Sequence, residues 1–356
     1  MGRRVLVTGL STFWGGRVAQ ALEADPTVDV IVGLDRDEPT VELERTEYVR
    51  SDESYSILSR IVKATKVDTI VHTFLIVDST SASASAMHEI NVIGTMNLFA
   101  AASQAGSMVR NVVVKSSTLV YGSGPRDPYF FREEAKRTTP LRTPVERTLS
   151  SVEQYVRDYA DDNPHVTVSM LRFSNVLGPD IRTPVSKLLE LPAVPQLFGF
   201  DPRFQFVHED DVVRSLLFVL DHSVPGVFNV VGDGVVPWSE VVALCGKRTV
   251  PLPPFGMGLV TGPLKRIGMD LPPELVELMK FGRGVDNRRF KRAGFRYEHT
   301  SAGTVKAFVE AQRLRKLGLS AEPAYRYERD VEQFFRHSPA VVREPAEDDD
   351  VPSELE

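Results

Sequence analysis

Arg3-Arg4-Val5-Leu6-Val7-Thr8-Gly9-Leu10-Ser11-Thr12-Phe13-Trp14-Gly15 runs from an apolar strand, through a turn bounded by glycines, into the helical stretch Arg17-Val18-Ala19. Val28-Asp29-Val30-Ile31-Val32-Gly33-Leu34-Asp35 follows as a second strand. Strand, glycine turn, helix and strand in this order form the opening of a dinucleotide-binding unit. The turn sets backbone N–H groups and the helix N-terminus against a pyrophosphate. Gly9 can make the tight turn and Gly15 permits close packing of helix on strand, while Thr12 stands at the middle position instead of glycine. Gly9, Thr12, Phe13, Trp14 and Gly15 are thus the candidate phosphate loop. Asp35 lies 20 residues beyond Gly15. A carboxylate there accepts hydrogen bonds from the adenosine ribose and repels a 2′-phosphate, so NAD is expected in preference to NADP. Arg36 pulls the other way, because a cation would suit that phosphate. The plainer alternative for Asp35 is a turn cap.

Working outward, strand candidates fall at 4–8, 28–34, 46–49, 68–73, 111–116 and 166–172, and helix candidates at 15–24, 54–65, 84–105 and 147–161. This alternation predicts βαβ units: an α/β, Rossmann-type doubly wound parallel sheet covered on both faces. After about residue 175 prolines punctuate short elements. A helix is expected at 209–221, a strand at 227–231, a Pro- and Gly-rich stretch at 250–273, and helices at 302–315 and 323–336. The expected organisation is a nucleotide-binding domain over 1–175, with contributions from about 205–232. A smaller substrate lobe with C-terminal helices spans 176–340, and an unstructured acidic tail spans 341–356.

Composition is that of a soluble globular chain: 356 residues, 42% hydrophobic and 25% charged. One cysteine, Cys245, excludes an intramolecular disulfide and fits a reducing cytoplasm. No apolar run approaches the roughly 18 residues of a membrane span, and the first residues enter a strand with no signal-peptide pattern. The net charge of −6 misleads: seven acidic residues lie between Glu344 and Glu356, and without them the net charge is +1. No basic stripe interleaved with aromatics points to nucleic acid, and no metal-ligand spacing stands out.

Further segments then appear in order: Val49-Arg50-Ser51-Asp52, Val67-Asp68-Thr69-Ile70-Val71-His72, Asn91-Val92-Ile93-Gly94-Thr95-Met96-Asn97-Leu98 and Ser116-Ser117-Thr118-Leu119-Val120-Tyr121-Gly122. Leu171-Arg172-Phe173-Ser174-Asn175-Val176-Leu177-Gly178-Pro179, Phe206-Val207-His208-Glu209-Asp210-Asp211 and Arg283-Gly284-Val285-Asp286 complete the set. Together with the glycine turn, they resemble the extended short-chain dehydrogenase/reductase family. The likeness is to its NAD-dependent sugar-nucleotide epimerase/dehydratase branch, typified by UDP-glucose 4-epimerase, and runs from about residue 3 to 310. The resemblance implies that Asp52 meets the adenine and that Thr73 and Phe74 line the cofactor channel. It implies that Asn91 and Ser117 belong to a catalytic tetrad with a Tyr and a Lys. It also implies that Asn175 and Arg283 contact a substrate diphosphate, and that a homodimer forms through helices 84–105 and 147–161, with Leu149 and Val152 packing there. A second family arginine would stand at Phe204; the nearest here is Arg203.

None of the nine tyrosines has a lysine four residues on. At the start of the helix leading into Glu153-Gln154-Tyr155, the family's Tyr and Lys positions hold Val145 and Leu149. Neither side chain can move a proton, and Leu149 cannot donate to ribose. Glu146 and Arg147 point about 100° and 200° away around the helix, so neither simply substitutes.

Three functions remain open. The first is an NAD-dependent epimerase, dehydratase or oxidoreductase acting on a sugar nucleotide or related alcohol. It would use a relocated acid/base: Ser117 through water, Tyr129, Glu133 or His208. The plainer reading of His208 is a structural residue ahead of an acidic helix start. The second is a binding protein with a degenerate site, loaded with NAD or a nucleotide-linked small molecule, that senses or scaffolds. The third is contact with a membrane surface through Phe255–Ile267, where Lys265 and Arg266 follow apolar residues. Its glycines and prolines suit a lobe segment better than an amphipathic helix.

Overall fold

The computed structural model describes residues 2–253 and 271–316, together with 331, 334–335 and 338–342. The first half alternates as its apolar runs dictate: β1 (Arg3–Thr8), α1 (Phe13–Glu23), β2 (Val28–Asp35), β3 (Thr46–Arg50), α2 (Tyr55–Thr65) and β4 (Thr69–His72). Then come α3 (Ala84–His88), a π-helical turn (Glu89–Ile93), α4 (Gly94–Ala102), β5 (Asn111–Ser117), α5 (Pro144–Asp162) and β6 (Thr167–Phe173). The second half has shorter pieces: β7 (Asn175–Leu177), α6 (Pro184–Glu190), β8 (Ala193–Leu197), β9 (Arg203–Phe204), β10 (Phe206–His208), α7 (Glu209–His222), β11 (Gly226–Val230), β12 (Val236–Pro237), α8 (Trp238–Leu244) and β13 (Arg248–Leu252). It closes with α9 (Pro273–Phe281), α10 (Arg288–Arg292) and α11 (Ser301–Lys316).

Seven parallel strands form the main sheet in the order β11-β6-β5-β4-β1-β2-β3. Alternate residues of each strand feed one apolar layer on either face. On one side Val112 and Val114 of β5 pack with α2, α4 and α5; on the other Val113 packs with α1 and α7. A third cluster, with Phe204, Phe206, Trp238 and Met279, holds the lobe together. The α/β doubly wound sheet predicted from the alternation is the observed fold.

Two elements differ from expectation. The helix predicted over 84–105 is three pieces, because one extra residue per turn at Glu89–Ile93 breaks the 3.6-residue repeat. The helix predicted from 147 starts at Pro144, since Thr143 caps the Glu146 N–H and the Glu146 side chain returns to the Thr143 N–H. That capping box begins before the periodic apolar residues do. The Pro- and Gly-rich stretch from 254 to 270, the segment Phe255–Ile267 and the acidic tail beyond 342 lie outside the described residues. So does most of 323–336.

Near its end the chain returns to the sheet. Phe334 is fully buried in the layer under α5 and α2, Arg4 donates to the Ala340 carbonyl at 2.7 Å, and the Val342 N–H reaches the Ala64 carbonyl at 2.7 Å.

Candidate functional site

Strand order reverses between β1 and β4, which opens a crevice at the carboxyl ends of the strands. Gly9 sits there with φ +77°, and a Cβ on it would lie 2.6 Å from Phe74 backbone, so both conformation and space require glycine. A Cβ at Gly15 would run into the Gly9 carbonyl, so glycine is what lets α1 start so close to β1. Thr12 caps α1: its hydroxyl accepts from Gly15 N–H at 3.2 Å and donates to the Gly9 carbonyl at 2.6 Å.

Asp35 ends β2 beside this turn. One carboxylate oxygen accepts from the Ser11 N–H at 2.8 Å and hydroxyl at 2.7 Å, and the other from the Arg36 N–H at 2.7 Å. Arg36 turns away, donating from Nε to Glu53 at 3.1 Å and from Nη2 to the Asp52 carbonyl. Burial pushes the Glu53 carboxyl up to about 7, against the pull of Arg36. Asp52 is exposed and its carboxylate caps the Ser54 N–H. Thr73 is buried and donates to the Thr8 carbonyl, while Phe74 packs edge-on against His72 at 4.3 Å.

Beyond the turn, a cavity of about 110 Å³ is lined by Trp14, Lys115, Ser117, Phe173, Asn175, Glu274 and Arg283, among others. Four residues singled out from sequence meet here: Trp14, Ser117, Asn175 and Arg283. The Ser117 hydroxyl accepts from Leu119 N–H at 3.2 Å, and Asn175 donates to the Gln205 carbonyl at 2.9 Å. Arg283 is held by the Gly122 carbonyl at 2.7 Å and the Ser123 hydroxyl at 3.1 Å, and burial lowers its pKa. Glu274, on α9, accepts from the Ser79 N–H and hydroxyl, joining the lobe to the loop after β4; burial raises its pKa. Sequence reasoning missed Lys115 and Glu274. A lysine inside the run Val112-Val113-Val114 was the available signal.

Asn91 projects from the π-helical turn. It accepts from the Ile76 N–H and donates to the Ile76 carbonyl, both at 2.8 Å, and to Thr148 at 3.2 Å. Val145 and Leu149 are fully buried in the layer shared by α4, α5 and the sheet, and neither lines the cavity. Leu149 and Val152 are therefore core residues of one chain, which corrects the expectation that they pack across a dimer.

The structure places the other candidates elsewhere. Arg203 is exposed, with its guanidinium 3.5 Å from the centroid of the Tyr129 ring. Glu133 accepts from Asn229 N–H and is buried outside the cavity. His208 is the N-cap of α7, where Nδ1 accepts from the Asp210 N–H at 3.2 Å, and its ring stacks on His299 at 4.0 Å. Asp211, Glu298 and His299 come close together, but Arg214 pairs with both acids and backbone N–H groups fill the Asp211 carboxylate. Those contacts occupy both acids, while the buried His299 Nδ1 has no hydrogen-bond partner among the described residues.

A sequence model of the NAD dependent epimerase/dehydratase family matches residues 5–231. An uncharacterized protein of Mycobacterium tuberculosis is 33% identical over 327 residues, covering 90% of this chain and 86% of its own. The dTDP-D-glucose 4,6-dehydratase of Mus musculus is 29% identical over 247 residues, 64% of this chain and 68% of the mouse protein. Among solved structures, MoeE5 with UDP-glucuronic acid and NAD superposes with TM-score 0.68 at 23% identity, over 88% of this chain and 99% of its own. The UDP-glucose 4-epimerase of Thermotoga maritima gives 0.68 at 20% over 88% and 99%. At these identities the structural likeness establishes the fold alone. Glycine turn, crevice and family match define an extended short-chain dehydrogenase architecture. The chain belongs to the NAD-dependent epimerase/dehydratase family, whose cofactor is NAD.

The adenosine half of that cofactor fits the residues present. Gly9 and Gly15 let α1 start tight against β1 and Phe74, which brings the first turn of α1 to the crevice, and Asp35 offers a carboxylate at the end of β2.

Proposed function

We propose that this chain binds NAD(H) together with a nucleotide-linked small molecule, and that its turnover by a Tyr–Lys route is weak or absent. The observation that carries this reading is the contrast between a glycine turn that keeps Gly9, Gly15 and Asp35 and two fully buried apolar residues, Val145 and Leu149, where the resemblance would put the Tyr and Lys. In this reading the first turn of α1 receives the diphosphate and Asp35 the adenosine ribose. Asn175 and Arg283 hold the nucleotide-linked partner. Loss of a positioned acid/base removes roughly 10²–10⁴-fold in rate. Titration of the purified protein with NAD⁺ and NADH by calorimetry, alongside assay of UDP-glucose and dTDP-glucose conversion, tests it. Binding without conversion is expected. Absence of binding for either nucleotide overturns it.

A second reading, an active enzyme with a relocated acid/base, draws on the cavity. Of the four candidates from sequence, Ser117 alone lines it, with Lys115 and Glu274 as titratable neighbours. Conversion of either sugar nucleotide at rates ordinary for an enzyme would favour this reading. A cytoplasmic location and a homodimer through α4 and α5 complete the proposal. They are supported by the lone Cys245 and by exposed Met96 and Tyr155 on those helices. Among the described residues, no helix is long and apolar enough to cross a membrane.

A further inference from the structure

Lys115 is the least expected residue of the central sheet. It stands on β5, 3% exposed, on the same face as Val113. Its ammonium donates to the Leu75 carbonyl at 2.8 Å and lies 4.7 Å from the centroid of the Trp14 ring. Among the described residues it has no second acceptor, so two of its three donors are unspent. A lysine so placed opposes folding, since burial disfavours its charge and brings its pKa down to about 7. An apolar residue would serve the sheet better.

The topology says what the amine faces. Asp35, the adenosine end, is on β2, and the diphosphate position is the start of α1 beside β1. In the strand order β2-β1-β4-β5, the remainder of a dinucleotide continues over β4 and β5. That is where the Leu75 carbonyl, Lys115 and Ser117 lie, with the amine over the ring of Trp14 from the first turn of α1. Resting on the NAD-binding reading above, we propose that Lys115 supplies from β5 the ammonium that α5 lacks at Leu149. It donates to the hydroxyls of the nicotinamide-side ribose. A donor-only group with two free N–H bonds suits a diol.

The test is calorimetric titration of the full chain and its K115M variant with NAD⁺, NADH and ADP, with thermal unfolding of both ligand-free proteins. ADP fills the adenosine half alone. K115M is expected to weaken NAD⁺ and NADH by about tenfold or more, as for a lost charged hydrogen bond. It should leave ADP within about twofold and melt at or above the wild-type temperature. A lysine with a purely structural role would instead lower the melting temperature and spare the NAD-to-ADP ratio. Unchanged NAD affinity, or equal loss of NAD and ADP, overturns the proposal while leaving NAD binding intact. Failure of wild type to bind either nucleotide overturns the NAD reading itself, and this proposal with it. Should K115M fail to fold, K115Q provides the same ratio.

Discussion

At the scale of single residues, the proposed function turns on three positions: Thr12 in the turn, and Val145 and Leu149, both fully buried on α5. The expectation that the last two stand at the family's Tyr and Lys positions rests on the register that Glu153 and its neighbours suggest. What sequence could not show is that both side chains have been absorbed into the core. The consequence is testable. Restoring the pair as V145Y/L149K places a larger ring and an amine where exposure is zero. Overpacking typically costs about 1–3 kcal/mol, and an unpaired buried amine costs more. The double variant is expected to unfold at lower urea concentration than wild type and to convert no UDP-glucose. A stable, epimerising double variant would show a site merely missing two groups. Asp35→Asn is expected to weaken NAD⁺ about tenfold in a fluorescence or calorimetric titration, because the neutral amide forfeits a charge-assisted bond. Lys115 left one local mark, a charge directly after the run Val112-Val113-Val114; what sequence could not show is that Leu75 and Trp14, distant in the chain, meet its amine.

At the scale of elements, α5 is anchored at its start by a capping box and in its middle by a buried ion pair. Its capping box starts it three residues ahead of the start expected at 147. Thr143→Ala is expected to cost about 1 kcal/mol in urea denaturation. Arg137 and the Arg142 and Thr143 N–H groups hold the Glu146 carboxyl below the usual carboxylate range, overcoming a burial effect that acts the other way. A carboxylate lowered in the fold stabilises it above its unfolded pKa, and that contribution is lost as pH falls through the folded value. Acid unfolding should therefore begin at higher pH in Glu146→Gln, as followed by circular dichroism. Further along α5, Glu153 grips Arg172 of β6 in a two-pronged pair at 2.8 and 2.5 Å, and also accepts from Ser116. Arg172 and Glu153 are 6% and 2% exposed in their side chains. Removing one partner strands the other, so Glu153→Ala is expected to lose about 3–5 kcal/mol. The π-helical turn was illegible because an extra residue in one turn leaves no mark in composition. Only the Asn91 grip on Ile76 reveals why it is there.

At the scale of the whole molecule, the parallel order of seven strands followed from alternation, since βαβ units leave few ways to build a covered sheet. The lobe was less legible. Its two- and three-residue strands lie below the length at which periodicity speaks. Two predictions belong here. Met96 and Tyr155, 38% and 37% exposed, mark the α4–α5 face. Light scattering should give a dimer, and M96E/Y155E a monomer. The second concerns pH. Burial lowers Lys115 from 10.5 to about 7, so between those values the unfolded chain carries a proton that the ligand-free fold does not. This group's effect is a stability that rises with pH across that window. Urea titrations at several pH values should show the rise in wild type and a flatter profile in K115M.

The return of the chain to Arg4 and Ala64 also fixes a point of departure. Residue 342 lies by the amino end of β1 and the tail of α2, on the floor of the sheet, while the crevice opens at its roof. A fluorophore fastened at residue 342 itself sits on that floor, on the side away from the doorway.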